Sequence, residues 1–411
     1  MNQKGATKHI SPSNILRVLE QVATGSALTR ASIARNLEMS RSTVGLIVDA
    51  LLEKRILAEE DMTEIARGRP SRQLVPGDGA SQVAVVAFGQ DASWIGIGDI
   101  TGLLQRTERL DVSLELGAER GITAAAERLQ ELSKESGGRP GRIAQAVVSV
   151  EAPVDIAAGT LVRSTTPNQG GRYLLGEWEE FPITQRFRHL LSVPVHVDND
   201  ANLLALREAD QLGPDALPLV RLHLSRGLGA GIVTETGNVY RGGGGTAGDL
   251  GHSISTSSGT QMCWCGKSGC IGAVGSLQSI TDDLGVDRLR SNTSEEEAEI
   301  LNRLLKAGDE QATLRVGQAG SALGELAATL VEILNPTTLV LGGELAGVGS
   351  TLARIRSGVY ERALAMSTRK LNIVTSDGPP WAALEGAAIL GSRLMLTLDG
   401  VRRQVGLPIK S

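Results

Sequence analysis

Residues 248–270 read GDLGHSISTSSGTQMCWCGKSGC and contain every cysteine of the chain, at 263, 265 and 270. His252 precedes Cys263 by a short polar loop. One imidazole and three thiolates make up a tetrahedral N/S ligand set of the kind that zinc takes. Gly266 and Gly269 leave the backbone free to wrap an ion. His252, Cys263, Cys265 and Cys270 would use all four positions, so such a zinc would be structural rather than catalytic. The alternatives are three incidental buried thiols or a redox pair. An odd number of cysteines argues against a disulfide framework.

The rest of the composition narrows the setting of this motif. The chain has 411 residues, 41 % of them hydrophobic and 21 % charged, with a formal net charge of −5. That is enough apolar material for a large core and for two to four domains. Four Trp, three Tyr and three Phe are too few for a base-stacking surface on single-stranded nucleic acid. No apolar run reaches the ~18 residues of a membrane helix. The first fourteen residues, MNQKGATKHISPSN, have no apolar secretory core. A soluble cytoplasmic protein is expected. Its charge is uneven: residues 1–80 hold 11 Lys+Arg against 9 Asp+Glu, the remainder 30 against 37. A nucleic-acid-binding head on an acidic body fits that asymmetry.

Within the head, Ile15, Val18, Leu19 and Val22 mark an amphipathic helix over 14–23. Thr29 is placed to cap a second helix carrying Ile33, Ala34 and Leu37. After the tight Glu38-Met39 link, Ser40 is placed to cap a third, with Val44, Ile47, Val48 and Leu51 on one face. Arg41, Ser42 and Thr43 fall on its first turn, where helix-turn-helix proteins contact base edges and phosphates. Ile56-Leu57, a polar turn, the run 68–72 (GRPSR) and Leu74-Val75 predict a hairpin wing bearing Arg67, Arg69 and Arg72. The set resembles the winged helix-turn-helix of bacterial repressors. A small helical interaction domain with a solvated arginine loop is the other reading.

From Val83 the pattern becomes α/β. Strands are predicted at 83–88, 94–99, 143–150, 193–197, 219–224 and 338–341. Helices are predicted at 118–134, 201–211 and 316–334. Glycines 227, 229 and 231 follow a strand, where backbone amides can cradle phosphate.

Residues 248–252 (GDLGH), the CWCGKSGC run, residues 198–202 (DNDAN) and Asn335-Pro336 with Gly342-Gly343 resemble the ROK family of repressors, open reading frames and sugar kinases. The likeness runs from about residue 81 to the C-terminus, behind a head similar to that of the family's repressor branch. It implies an α/β body of two actin/hexokinase-like lobes around a sugar cleft, a zinc site and a homodimer or homotetramer. The expected domains are a winged helix-turn-helix at 1–80 and the body at 81–411. Lobe 1 would take about 81–198 plus the C-terminal helix, lobe 2 about 199–380.

The same resemblance implies roles for single residues. Asn199 and Asp200 match the pair that holds sugar hydroxyls, the Asp being the general base of the kinases; alternatively Asp200 only caps the helix at Ala201. Asp249 stands for a Glu, Gly272 for another, and His252 borders the same cleft. Asn168 matches a cleft position, or is a turn asparagine. The kinases' Asp-x-Gly-Gly-Thr phosphate turn aligns with Ala87, Phe88, Gly89, Gln90 and Asp91, and Arg226 replaces a Thr of the second phosphate loop. With an acid in place of Thr, the turn would repel polyphosphate. The sequence therefore predicts a non-enzymatic transcriptional regulator, a repressor. It would bind a double-stranded operator through Ser40, Arg41, Ser42, Thr43, Arg69 and Arg72. A sugar or sugar derivative would sit at Asn168, Asn199, Asp200, Asp249 and His252. A sugar kinase with a DNA-binding head and a regulator controlled by a protein partner are the alternatives.

Overall fold

The structure is a computed structural model that describes residues 11–61, 72–90, 92–112, 114–135, 142–162, 176–263, 265–286 and 293–406. The head comprises α1 (Pro12–Ala23), α2 (Arg30–Asn36), α3 (Arg41–Glu53) and the antiparallel hairpin β1 (Leu57–Asp61)–β2 (Arg72–Pro76). Thr29 and Ser40 cap α2 and α3 as expected, accepting from Ser32 N–H and Thr43 N–H. The tight link places Glu38 at φ 53°, which lets the chain reverse between the two helices. The apolar positions at helical spacing, Val18, Leu19, Ile33, Val44, Ile47 and Leu51 among them, are buried. Arg69 and the wing tip lie outside the described residues.

The first sheet of the body has the order β5 (Leu104–Leu110), β4 (Ser93–Gly98), β3 (Gln82–Phe88), β6 (Ile143–Val150), β9 (Val195–Asn199). β3, β6 and β9 run parallel, while β4 and β5 are antiparallel additions. Alternation along β3 explains its continuous apolar run. Ala84, Val86 and Phe88 face α4 (Ala118–Glu135) and α5 (Ile183–Leu191), and Val83 and Val85 face α13 (Ala382–Met395) on the other side. A short hairpin, β7 (Val154–Asp155)–β8 (Thr160–Leu161), precedes α5.

The second sheet has the order β11 (Leu228–Val233), β10 (Leu219–Leu224), β12 (Thr338–Gly342), β13 (Asn372–Ser376). Val220, Leu222 and Leu224 pack into a core with the long α10 (Glu310–Leu334), α9 (Ser294–Lys306) and α11 (Thr351–Arg362). The short α7 (Gly272–Gly275), α8 (Leu277–Asp283) and α12 (Ala365–Thr368) complete this side. The opposite face of β10, carrying Leu219, Arg221 and His223, turns toward α6 (Asp200–Leu212). That helix is a wedge: Leu203 joins the core of the first sheet, Ala205 and Ala209 that of the second.

Head and body share one core. The chain passes from β2 to β3 through Gly77–Gly79, whose N–H groups bond back to the carbonyls of Ile56 and Arg55. The final helix, α14 (Leu398–Val405), packs against α1. Val401 and Val405 connect the head residues Ile15, Val18 and Leu19 with Met395 and Val83 in one apolar cluster.

Candidate effector cleft and metal centre

A cavity of about 640 Å³ opens between the two sheets. The first sheet contributes Gln90, Glu151, Asn199 and Asp200. The second contributes His223, the turn 225–229 and the strap 245–252 that follows β11. Of the sugar-site residues expected from the sequence, Asn199, Asp200, Asp249 and His252 line this one cleft. Asn168 and Asp91 lie outside the described residues.

Local structure assigns Asn199 and Asp200 different work. The helix begins at Asp200, one residue before the sequence suggested, and its cap is Asn199, whose Oδ1 accepts from Ala201 N–H at 3.0 Å. Asn199 Nδ2 donates to the Ala152 carbonyl at 3.1 Å. The capping role considered for Asp200 therefore belongs to its neighbour. The Asp200 carboxylate instead turns to the cleft, with Oδ2 3.7 Å from His223 Nε2. Burial pulls the His223 imidazole down to about 4, against the attraction of Asp200, so the ring is neutral at pH 7.

Behind His223 runs a polar chain. Arg221 Nη1 lies 3.3 Å from His223 Nδ1, and Arg221 Nε lies 4.0 Å from Glu208 Oε1. Glu208 accepts from Arg207 Nη1 at 2.8 Å and from the Ser376 hydroxyl. Arg207 Nε donates to Glu385 on α13. The alternation in β10 puts Arg221 and His223 on the same face, which is why this strand carries charge inside the protein.

The segment between β11 and the strap is tied to the first sheet. Arg241 Nε donates to Asp198 Oδ2 at 3.0 Å, and Asn202 Nδ2 donates to Asp198 Oδ1 at 3.0 Å. Burial would raise the Asp198 carboxyl, but hydrogen bonds from His196 and Arg241 and the charge of Arg241 outweigh it and hold the group below the usual range. Burial pushes the Asp249 carboxyl up. Arg226, beside the glycine-rich turn, donates from Nε and Nη2, one edge of its guanidinium, to Oε2 and Oε1 of Glu297 of α9, at 3.1 and 3.2 Å. Glu297 has no exposed surface.

The strap ends in the cysteine loop. Ligand atoms of His252, Cys263, Cys265 and Cys270 lie within 4.8 Å of one another and could hold a metal ion. Cys265 Sγ and Cys270 Sγ are 3.6 Å apart, far longer than a disulfide. Gly266 and Gly269 adopt φ of 84° and 79°, a left-handed backbone that glycine enters without strain. Burial and neighbouring thiols push Cys270 up to about 12. Ile271 N–H bonds to the Ser253 carbonyl and Gly272 N–H to the Gly251 carbonyl, so the loop braces the cleft wall.

On the head, Arg41 and Ser42 are exposed at the start of α3, while the Ser40 hydroxyl serves as its cap. Arg72 is exposed on β2 and pairs with Glu59 at 3.4 Å and Asp61 at 3.5 Å. Sequence reasoning missed His223, Glu151, the Arg226–Glu297 pair and the Arg241–Asp198 tie. His223 had a usable signal, a lone imidazole on the strand leading into the glycine turn.

Comparison with known proteins places this architecture. The profile of the ROK family matches residues 122–393. A xylose repressor of Caldicellulosiruptor bescii is 23% identical over 398 residues, covering 94% of this chain and 96% of that one. A glucokinase of Halalkalibacterium halodurans is 31% identical over 194 residues, 43% of this chain and 57% of that enzyme. The solved structure of a ROK family transcriptional regulator, a homologue of the Escherichia coli Mlc protein, superposes with a TM-score of 0.73 over 97% of this chain and 99% of that one, at 22% identity. With well over half of its length inside the family profile, the chain belongs to the ROK family.

Proposed function

We propose that the protein is a DNA-binding transcriptional repressor whose body binds a sugar or sugar-derivative effector and so alters operator affinity. The observation that carries this reading is the head. Three capped helices and a hairpin are packed into the same core as the body, and the relation to the xylose repressor extends over 94% of the chain rather than over the body alone. Residues 1–80 act as the DNA-binding domain and 81–411 as the sensor. A homodimer would present two third helices, with Arg41, Ser42 and Thr43 foremost, to successive major grooves. Arg69 and Arg72 of the wing would reach phosphates, and Ser40 would contribute through the cap that holds the helix start.

The body acts as a sensor and not as a kinase. Gln90 enters the cleft from the first phosphate turn, and Arg226 beside the second is held by Glu297. Asp200 would accept a hydrogen bond from an effector hydroxyl, with Asp249 and His252 on the opposite wall. His252, Cys263, Cys265 and Cys270 would hold zinc, which when bound cross-links the strap to the cysteine loop; a closed ligand set of this kind suits structure rather than catalysis. The effector regulates by favouring one arrangement of the lobes, which α13 and α14 transmit to α1. A gel shift on the protein's own promoter with a panel of sugars tests the reading. Binding released by one sugar is expected. Absence of any DNA complex, or sugar-dependent ATP consumption, would refute it.

A further inference from the structure

Glycine weakens a helix interior relative to alanine, so a glycine inside a helix needs a reason. In the helices of the body the reason is close packing. A Cβ on Gly320 of α10 would stand 2.9 Å from the Arg354 side chain, and one on Gly358 of α11 would stand 2.7 Å from Gly324. Gly45 of α3 is different. Among the described glycines inside α-helices, it alone would place a Cβ with nothing within 4 Å, and its φ is not left-handed. Neither the packing nor the backbone of the head requires glycine there. The next residue, Leu46, is equally unexplained by the head: it is 54% exposed, while Val44, Ile47 and Val48 around it are buried.

Helical spacing puts Gly45 and Leu46 on the outer face of α3 with Arg41 and Ser42, both exposed. Asp49 ends that face, its carboxylate held by Arg30 at 2.6 Å. The face thus offers a cation, a hydroxyl and an apolar group around a position stripped of its side chain. A major groove accepts all of these. Arginine forks onto guanine, serine donates to phosphate, and the C5-methyl of thymine is the apolar group on the base edges. A leucine, which can neither donate nor accept, has that methyl as its match. We propose that Gly45 and Leu46 are specificity-determining residues of the DNA interface. Gly45 lets the α3 backbone come close to the base edges, and Leu46 packs on a thymine methyl in each half-site. This inference rests on the reading of residues 1–80 as the DNA-binding domain.

The test uses the full-length protein and a duplex that it selects from a random-sequence library, with affinities read by fluorescence anisotropy. Deoxyuridine is put in place of thymidine at one position after another, which removes only the methyl group. At one thymine of a half-site the wild type should bind ~4-fold more weakly, the worth of one buried methyl. Leu46→Ala should bind the thymine duplex more weakly by a similar factor and should no longer distinguish it from the uracil duplex. Gly45→Ala should unfold at a higher urea concentration than wild type, because alanine is the better helix former and nothing blocks its Cβ. It should nonetheless bind the selected duplex about tenfold more weakly. Its binding to a scrambled duplex, which rests on phosphate contacts, should not change. Wild-type binding insensitive to uracil at every position, or discrimination retained in Leu46→Ala, overturns the thymine contact. Operator binding by Gly45→Ala as tight as that of wild type overturns the close approach. If the wild type enriches no duplex from the library, the DNA-binding reading fails and this inference falls with it.

Discussion

Gly386 of α13 lies against the backbone of Leu203 in α6 so closely that a Cβ on it would stand 1.9 Å from the Leu203 carbonyl oxygen. The helix that presents Asp200 to the cleft and the helix that leads into α14 thus meet without an intervening side chain. Gly386→Ala forces them apart and should cost ~3 kcal/mol by overpacking, although alanine is the better helix former. Chemical denaturation measures the loss; a variant as stable as wild type would show that α6 and α13 are not locked together.

Removing the thiol of Cys265 probes the metal centre. Purified protein should carry one zinc per chain, and Cys265→Ser should lose it together with the protection of residues 249–275, because metal binding and local folding are linked. Elemental analysis and hydrogen exchange read the two effects. Metal-free protein from a chelator-free preparation, with that segment equally protected, would remove zinc from the account.

Arg41→Ala should weaken operator binding by ~1–3 kcal/mol, the worth of a bidentate base contact. Arg41 is exposed on the first turn of α3, so the melting temperature should not move. Equal operator affinity in wild type and variant would take Arg41 out of the interface.

Asp200→Asn exchanges one acceptor oxygen for a donor at constant shape. Effector affinity should drop about ten- to a hundredfold, the value of a charge-assisted hydrogen bond. DNA binding without effector should persist, which yields a repressor deaf to its inducer. An unaltered effector response in the variant would exclude Asp200 as a ligand.

The Asp198–Arg241 tie predicts an acid sensitivity. Asp198 titrates below its unfolded value, so its contribution to stability is complete above about pH 4 and disappears as pH falls through the lowered native value. Asp198→Asn leaves Arg241 without its carboxylate and should cost ~3 kcal/mol at pH 7. The deficit relative to wild type should shrink as acid protonates Asp198 in the wild type. Urea titrations at neutral and acid pH compare the two, and a deficit constant with pH would assign it to packing.

Local chemistry made much of this molecule readable. Thr29 and Ser40 cap helices because their hydroxyls can reach the free N–H groups of the first turn, and that pattern spans only a few residues. The cysteine loop is equally compact, its ligands brought together by turns at Gly266 and Gly269. Boundaries were less secure: the capping role considered as the alternative for Asp200 belongs to Asn199, because both side chains can cap and the helix starts at Asp200 rather than at Ala201.

The sequence by itself determined the helical head, the alternating strands and the cluster of four ligands, all set by periodicities and turns within short stretches of chain. Only the tertiary structure decided that Arg226 is held by Glu297 on α9, that Arg241 anchors the segment before the strap to Asp198, and that α14 packs against α1 so that head and body share a core. Charge pairing and apolar burial depend on distance in space, and these partners lie 71 residues apart, 43 residues apart, and at opposite ends of the chain.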